Sequence, residues 1–180
     1  MIVVVDYNPA WPRVFGALRA TLAGTLGDIA LAIEHVGSTS VPGLAAKPVI
    51  DIDVVVQDSD VALAIGGLEA IGYTHRGDLG IPQREAFRQP PGFPPHHLYV
   101  CPEHSPALAN HRALRDYLRM NPEAVMAYGA LKKQLALRFG DDMDGYVEGK
   151  TAFIVDILAK RGLTADTLAD IERMNRRPVP

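Results

Sequence analysis

The stretch IEHVGSTSVPGLAAKPVIDIDVVV, residues 33–56, carries the pattern that decides the fold. An apolar run ends at a glycine followed by three hydroxyl residues, namely Gly37, Ser38, Thr39 and Ser40. A second apolar run follows and contains two carboxylates, Asp51 and Asp53. The two apolar runs predict strands at residues 29–36 and 49–56. A strand that only filled a core would not carry two aspartates, so the second strand is predicted to have a chemical role.

The spacing of the two aspartates predicts a metal site. Strand side chains alternate between faces, so Asp51 and Asp53 are expected to project from the same face of the sheet. Two carboxylates held that close among apolar neighbours repel each other, and a divalent cation with oxygen ligands, such as Mg²⁺, relieves the repulsion. An isolated pair of this kind is also compatible with a solvated sheet face or a strand end.

The glycine-serine turn predicts a phosphate site beside these aspartates. Gly37 allows close backbone approach, and the hydroxyl residues after it supply O–H and N–H donors. Val41 and Pro42 are expected to begin a short helix, whose N-terminus would favour phosphate. Ser/Gly turns are common structural features, but twelve residues (39 through 50) separate Ser38 from Asp51, and the combination of turn and carboxylates at this spacing is specific.

The remaining chain predicts one domain in two parts. Its 180 residues suit a single domain with a sizeable core. Residues 1–101 have an α/β pattern, with a helix beginning at Asn8-Pro9 and further short strands at 73–76, 85–88 and 97–101. Residues 105–176 are predicted to be helical. This order favours an α/β (α+β) fold in which helices cover a sheet.

Composition excludes several classes of function. The net charge of −3 gives no global basic field for nucleic acid. A single cysteine, Cys101, rules out an internal disulfide framework and predicts a reducing, cytoplasmic setting. The first residues, MIVVVDYNPAW, lack the basic region of a signal peptide, and no stretch approaches the ~20 apolar residues of a membrane helix.

The motif HVGSTSVPGLAAKPVIDIDV resembles the hallmark of the GrpB family, within the nucleotidyltransferase superfamily that has the DNA polymerase β-like fold. The resemblance covers about residues 5 to 160. It continues through four further segments, HHLYV (96–100), LRDYLRMNP (114–122), YGALKKQLA (128–136) and YVEGKTAFI (146–154).

The resemblance implies a mixed sheet flanked by helices, with the Gly37-Ser38 turn holding the triphosphate of a nucleotide. Asp51 and Asp53 would hold Mg²⁺, which aligns an attack on the α-phosphorus. The implied function is metal-dependent transfer of a nucleotidyl group from a nucleoside triphosphate to an unidentified hydroxyl or amine acceptor. A non-catalytic nucleotide-binding or regulatory domain and a phosphate-ester hydrolase are the alternatives.

The chain departs from the superfamily pattern at one point. Active members commonly have a third acidic residue on a later strand, and the matching segment HHLYV contains no carboxylate. His97 is predicted to replace that acid as a metal ligand or general base, because imidazole titrates near neutrality. A hydrogen bond inside the sheet is the alternative role for His97, and Glu85 is a second candidate for the missing carboxylate.

Basic residues provide candidate phosphate ligands. Lys47, between the turn and the aspartates, and Arg84, beside the predicted strand 85–88, are expected to bind the nucleotide. Other cations on the predicted helices are more typical of a solvated surface, namely Arg115, Arg119, Lys132 and Lys133.

Two motif-like patterns are rejected. GYVEGKT (145–151) has only three residues between Gly145 and Gly149, whereas a P-loop needs four, and its apolar spacing continues as a helix. The histidines at positions 97, 104 and 111 lie on a segment that changes from strand to helix, so a zinc site is not expected.

Overall fold

A computed structural model describes residues 1–176 and has the predicted α/β architecture, a mixed sheet flanked by helices. The strands are β1 (Ala32–Val36), β2 (Ile50–Val56), β3 (Thr74–His75), β4 (Glu85–Arg88) and β5 (His96–Pro102). The helices are α1 (Trp11–Leu26), α2 (Val61–Ala70), α3 (Pro106–Met120), α4 (Pro122–Phe139), α5 (Met143–Lys160) and α6 (Ala165–Asn175). None of the helices within residues 1–176 combines the length and apolar character needed to cross a bilayer.

The sheet order is β1-β2-β5-β4-β3, and the two central strands come from distant parts of the chain. β1 is antiparallel to β2, β2 is parallel to β5, and the remaining pairs are antiparallel. The parallel pairing of β2 and β5 needs a long crossover, which residues 57–95 provide. This pairing places HHLYV directly beside the strand that carries the two aspartates.

One face of the sheet is apolar and is covered by α1 and α2. Buried side chains of both helices pack there against alternate residues of the central strands, including Leu18, Leu22, Leu68, Ile50, Ile52, Val54, Leu98 and Val100. The odd-numbered residues of β2 therefore face the opposite side, toward α3, α4 and α5. The polar residues of the site all lie on that second face.

Two predicted helix starts are wrong. α1 begins at Trp11 and has Pro12 in its first turn; Asn8 instead accepts a hydrogen bond from the Ala10 N–H at 2.9 Å in a preceding turn. No helix begins at Val41, which is extended because the α conformation is disfavoured before a proline. The short 3₁₀ turn lies earlier, at Ser38–Ser40.

The helical part begins where capping residues predict. The Ser105 hydroxyl accepts from the Leu108 N–H, and Pro122 opens α4 directly after Asn121. The Asp142 carboxylate accepts from the Gly145 N–H at 3.0 Å and caps α5. GYVEGKT consequently lies inside α5, as the helical spacing predicts.

Candidate active site

The strand register brings the two aspartates and His97 together on one sheet face. Asp51 lies opposite His97 on β5, and Asp53 lies opposite Glu34 on β1 and Tyr99 on β5. The expected common face of Asp51 and Asp53 is therefore confirmed. β5 contributes an imidazole, a phenol and a thiol to this face, but no carboxylate.

The Gly37 turn packs against Asp51 more closely than any side chain would allow. Gly37 has φ +65°, and a Cβ atom placed there would lie 2.7 Å from Cγ and 2.8 Å from Cβ of Asp51. The Ser40 hydroxyl donates to the Gly37 carbonyl at 2.6 Å and tightens the turn. The turn and the first carboxylate therefore form one rigid edge of the site.

We expect Gly37→Ala to destabilise the fold by about 2–4 kcal/mol, because a positive φ and a clash with Asp51 act together. Gly27→Ala is the matched control: Gly27 has φ +52°, but a Cβ there meets nothing within 4 Å. Thermal and urea unfolding of both variants measure the difference. Equal destabilisation by the two substitutions would show that the contact with Asp51 does not require glycine.

The two aspartates have different surroundings. The Asp51 side chain is 29% exposed, and its Oδ1 lies 2.8 Å from Nδ1 of His97. The Asp53 side chain is fully buried, with Oδ2 2.8 Å from Nδ1 of His111. Burial by itself would lower the pKa of His111, but the charge of Asp53 and this hydrogen bond outweigh burial and raise it. Asp53 Oδ1 is buried and has no hydrogen-bond partner within residues 1–176.

Glu34 is a third carboxylate on the same face, but both of its oxygens are hydrogen-bonded to arginines. Arg112 donates to Oε1 with Nε at 2.9 Å, and Arg115 donates to Oε2 at 2.7 Å. Burial would raise the pKa of Glu34, and the hydrogen bonds from both arginines lower it instead. This ion-paired carboxylate fastens α3 to β1 and leaves no free oxygen for a ligand.

Three lysines surround one end of the site. They line a cavity of about 250 Å³, here named the lysine compartment, whose walls include Lys47, Lys132, Lys150, Ser38, Thr39, Asp51 and His97. The Lys132 ammonium donates to the Ser38 hydroxyl at 2.8 Å. The turn hydroxyl, the first aspartate and all three cations therefore meet at one cavity.

Burial lowers the pKa of two of these lysines. Burial, together with the charge of the neighbouring Lys150, lowers the pKa of Lys132 to about 7 against the opposing effect of Asp51. Burial and the charge of Lys47 lower the pKa of Lys150 to about 8. Buried cations without carboxylate partners are costly, which is typical of a site that awaits an anion.

Two further compartments continue from the lysine compartment. The central compartment, about 210 Å³, shares Ser38, Asp51 and Lys150 with it and is also lined by Gly37, Tyr99, His111, Leu114, Arg115, Tyr128 and Ile154. The arginine compartment, also about 210 Å³, shares His111, Leu114 and Ile154 with the central one and contains Arg84, Asn110 and residues of α6. Asp51 thus borders a cleft with a cationic end and a more apolar end, whereas Asp53 is buried behind it and lines none of the three compartments.

The structure brings most of the predicted site residues together and separates some. Ser38, Asp51, His97 and Lys47 meet at the lysine compartment, and Gly37 lies against Asp51 and lines the central compartment. Thr39 and Ser40 are buried; Thr39 shares a hydrogen bond with His35 at 3.0 Å. Ser40 lines a separate cavity of about 820 Å³ behind the turn, together with Tyr7, Phe15 and Arg119.

Two candidate residues, Arg84 and Glu85, lie away from the lysine compartment, and nucleotide binding by Arg84 stays a prediction. Arg84 does not line the lysine compartment; its guanidinium lies over the Tyr99 ring, 4.4 Å from the centroid, and lines the arginine compartment. Glu85 pairs with Val100 in the register, faces the α1/α2 side and lies 2.6 Å from Nε2 of His75. Its side chain therefore points away from the face that carries Asp51.

The prediction of a solvated surface is wrong for Lys132, which is 2% exposed and lines the lysine compartment. Two further site residues, Lys150 and His111, were not identified from the sequence. Lys150 belongs to GYVEGKT, and the one-turn spacing of Tyr146, Lys150 and Ile154 on α5 was the available signal. His111 reaches Asp53 only because α3 crosses the sheet, which no local pattern indicates. His97 and His111 both reach the aspartates, whereas His104 is exposed beside Glu103.

The residues at the site suit a hard divalent cation. Two carboxylates two positions apart, with one buried oxygen lacking a partner, are the donor set that Mg²⁺ prefers. Across residues 1–176, no group of three or more His, Cys, Asp or Glu side chains is arranged to enclose a metal by itself. Any cation here would therefore need ligand oxygens from substrate, as magnesium does in phosphoryl-transfer sites.

Comparison with solved structures identifies the fold. The conserved protein GrpB from Enterococcus faecalis has a TM-score of 0.79 and 38% identity, covering 93% of this chain and 98% of that one. The Cid1 poly(U) polymerase with MgGTP bound has a TM-score of 0.57 and 19% identity, covering 84% of this chain and 50% of Cid1. The second likeness shows a nucleotidyltransferase-like fold alone.

Comparison with known sequences identifies the family. UPF0157 protein YqkA of Bacillus subtilis is 34% identical over 154 residues, which are 85% of this chain and 45% of YqkA. The chain thus spans about half the length of that relative. The model of the GrpB protein family matches residues 1–160, which include the turn, both aspartates, His97 and the three lysines. The chain therefore belongs to the GrpB family.

Proposed function

We propose that this protein transfers a nucleotidyl group from a nucleoside triphosphate to a hydroxyl or amine acceptor, with Mg²⁺. One observation carries the proposal: Asp51, the Gly37-Ser38 turn and three lysines meet at one cavity, with Asp53 next to Asp51 on the same sheet face. The nucleotidyltransferase-like fold supports it. We also propose a cytoplasmic setting, supported by the single, buried Cys101.

The lysine compartment would bind the triphosphate. Lys47, Lys132 and Lys150 supply positive charge, and the Ser38 hydroxyl, already bonded to Lys132, supplies a directional contact. The low exposure of Lys132, 2%, strengthens its attraction for phosphate because little water screens it. The rigid Gly37 turn holds this arrangement against Asp51.

Asp51 and Asp53 would hold the magnesium ion, which when bound neutralises phosphate charge and polarises the P–O bond to be broken. His97 lies within hydrogen-bond distance of Asp51 and half its side chain is exposed, so it is placed to accept a proton from an acceptor hydroxyl. His111 orients the Asp53 carboxylate through its hydrogen bond.

A non-catalytic nucleotide-binding domain is the second candidate. Two observations favour it: β5 supplies no carboxylate to the site face, and each aspartate already has a histidine partner. Such a domain would bind nucleotide at the lysine compartment without consuming it. Release of pyrophosphate that depends on an acceptor supports transfer, and nucleotide hydrolysis without any acceptor would indicate a phosphate-ester hydrolase.

We expect nucleotide affinity to fall by ~10-fold or more between pH 7.5 and 9.5. Over this range the triphosphate stays fully ionised. Lys132, with a pKa of about 7, and Lys150, with a pKa of about 8, lose their charge as pH rises. Bound triphosphate favours the protonated amines, so binding takes up protons. Calorimetric titration of MgATP, MgGTP, MgCTP and MgUTP, in buffers of different ionisation enthalpy, measures both effects.

Lys133→Met is the matched control for Lys132→Met. Lys133 is exposed, and its ammonium lies 2.5 Å from Asp6, outside the cavity. Lys132→Met should remove most of the affinity and of the proton uptake, whereas Lys133→Met should change neither by more than about two-fold. Affinity that is constant with pH, or equal losses in the two variants, would contradict a triphosphate site at these lysines.

A further inference from the structure

The arginine compartment contains a cation without a counter-ion. The Arg84 guanidinium lies over the Tyr99 ring, and its Nε is buried without a hydrogen-bond partner. No acidic side chain within residues 1–176 forms an ion pair with Arg84, although Asp53, on the strand next to Tyr99, is itself hydrogen-bonded to His111. A partly buried guanidinium without a carboxylate partner favours an anion in the cavity that it lines.

The walls of this compartment are largely apolar. Ile154 and Leu158 of α5 face Ile171 of α6 across it, and Asn110 and Asn175 add amide groups. α6 lies outside residues 1–160, which the GrpB family model matches, so this wall is not part of the family match. The cavity of about 210 Å³ corresponds to roughly seven water molecules, which suits a small organic molecule.

The arginine compartment adjoins the central compartment of the cleft. It shares His111, Leu114 and Ile154 with the central compartment, which also contains Asp51. The lysine compartment lies on the other side of Asp51. A molecule anchored at Arg84 and a triphosphate at the lysines would therefore approach Asp51 from opposite ends.

We propose that the arginine compartment is the acceptor site, and that the acceptor is a small apolar carboxylic acid bearing a hydroxyl or amine. Its carboxylate pairs with Arg84, and its apolar body packs against α5 and α6. This inference rests on the proposed function. In the reaction, the acceptor oxygen or nitrogen forms a bond to the α-phosphorus, the bond between that phosphorus and the bridging oxygen breaks, and pyrophosphate leaves. The acceptor proton passes to the base proposed above.

A hydroxy acid and its uncharged amide test the anion requirement on the unaltered protein. The probes are 2-hydroxy-4-methylpentanoate and 2-hydroxy-4-methylpentanamide, followed by methyl NMR of the isoleucines and of Val49 and Val147, which line the lysine compartment. We expect the acid to shift the resonances of Ile154 and Ile171 and to bind at least ten-fold more tightly than the amide. Equal affinities of acid and amide, or shifts confined to the lysine compartment, would overturn the proposal.

Arg84→Leu, with Arg88→Leu as control, assigns the effect to one side chain. Both variants lose one charge from the same sheet region, but Arg88 is exposed. Arg84→Leu should weaken acid binding at least ten-fold, and Arg88→Leu less than two-fold. A loss of MgATP affinity in Arg84→Leu as large as its loss of acid affinity would overturn the proposal by assigning Arg84 to the nucleotide.

The two proposals fail in different ways. If the unaltered protein binds MgATP but not the acid, the acceptor site is wrong and the nucleotide site stands. If it binds the acid at Arg84 but no nucleoside triphosphate, the transfer function is wrong, and the acceptor role falls with it. The acid titration of the unaltered protein decides whether the arginine compartment binds a carboxylic acid, and the Arg84→Leu variant decides whether Arg84 holds its carboxylate.

Discussion

Asp51→Asn should lower the proposed nucleotidyl transfer at least ~100-fold, because it removes a carboxylate proposed to hold magnesium. A bound metal contributes several kcal/mol to such a reaction, and about 1.4 kcal/mol corresponds to a ten-fold change in rate. Nucleotide affinity should fall only when Mg²⁺ is present. The fold should persist, since Asp51 is partly exposed and asparagine keeps its shape. Calorimetric titration of nucleotide with and without Mg²⁺, and release of pyrophosphate, measure the two effects.

Asp53→Asn should lose activity to the same extent but also lose stability. Asp53 is fully buried against His111, and exchanging its charge-assisted hydrogen bond for a neutral one costs about 1–3 kcal/mol. Asp58→Asn is the control, because Asp58 is exposed just beyond β2. Magnesium-dependent affinity that is unchanged in both site variants would show that these aspartates are not metal ligands.

His97→Ala should reduce the rate of transfer by ~10²–10⁴-fold, the usual contribution of a general base, while nucleotide affinity changes only a few-fold. His97 stands opposite Asp51 in the β2–β5 register.

Two conservative variants distinguish a general base at position 97 from a residue that only hydrogen-bonds to Asp51. His97→Asn keeps a hydrogen-bond donor for Asp51 but cannot accept the proton, and it should be as slow as His97→Ala. His97→Asp restores a carboxylate at this position and should recover a large part of the rate. His104→Ala, at an exposed histidine, is the control. Full activity in His97→Asn would assign catalysis to another group and favour the non-catalytic binding domain.

Local patterns predicted the parts of the site that local geometry builds. Alternation along one strand places Asp51 and Asp53 on a common face, and only a glycine at position 37 lets the turn approach Asp51. The bounds of β2 and β4 were predicted within one residue for the same reason. A short apolar run flanked by turn residues is the clearest signal that a sequence contains.

Long-range packing decided what could not be predicted. Lys150 and His111 become site residues because α5 and α3 cross the polar face of the sheet. The helical spacing around Lys150 indicates which residues share its face but not what that face packs against, and no local pattern marks His111. Arg84 and Glu85 are neighbours in sequence, but their side chains point to opposite faces of the sheet. The Arg84 side chain contacts Tyr99, and the Glu85 side chain contacts His75. Crossing angles and strand order are properties of the whole chain.

The wide separation of the three lysines along the chain has a consequence for how the protein is made. Lys47 leaves the ribosome about 100 residues before Lys150, and translation proceeds at roughly 5–20 residues per second. For several seconds a nascent chain therefore exposes β1, β2 and β5, with the carboxylates of β1 and β2 on one side and no α4 or α5 to cover them. The proposed nucleotide site would be complete only after α5 has emerged and docked, so the ligand would not assist the early steps of folding.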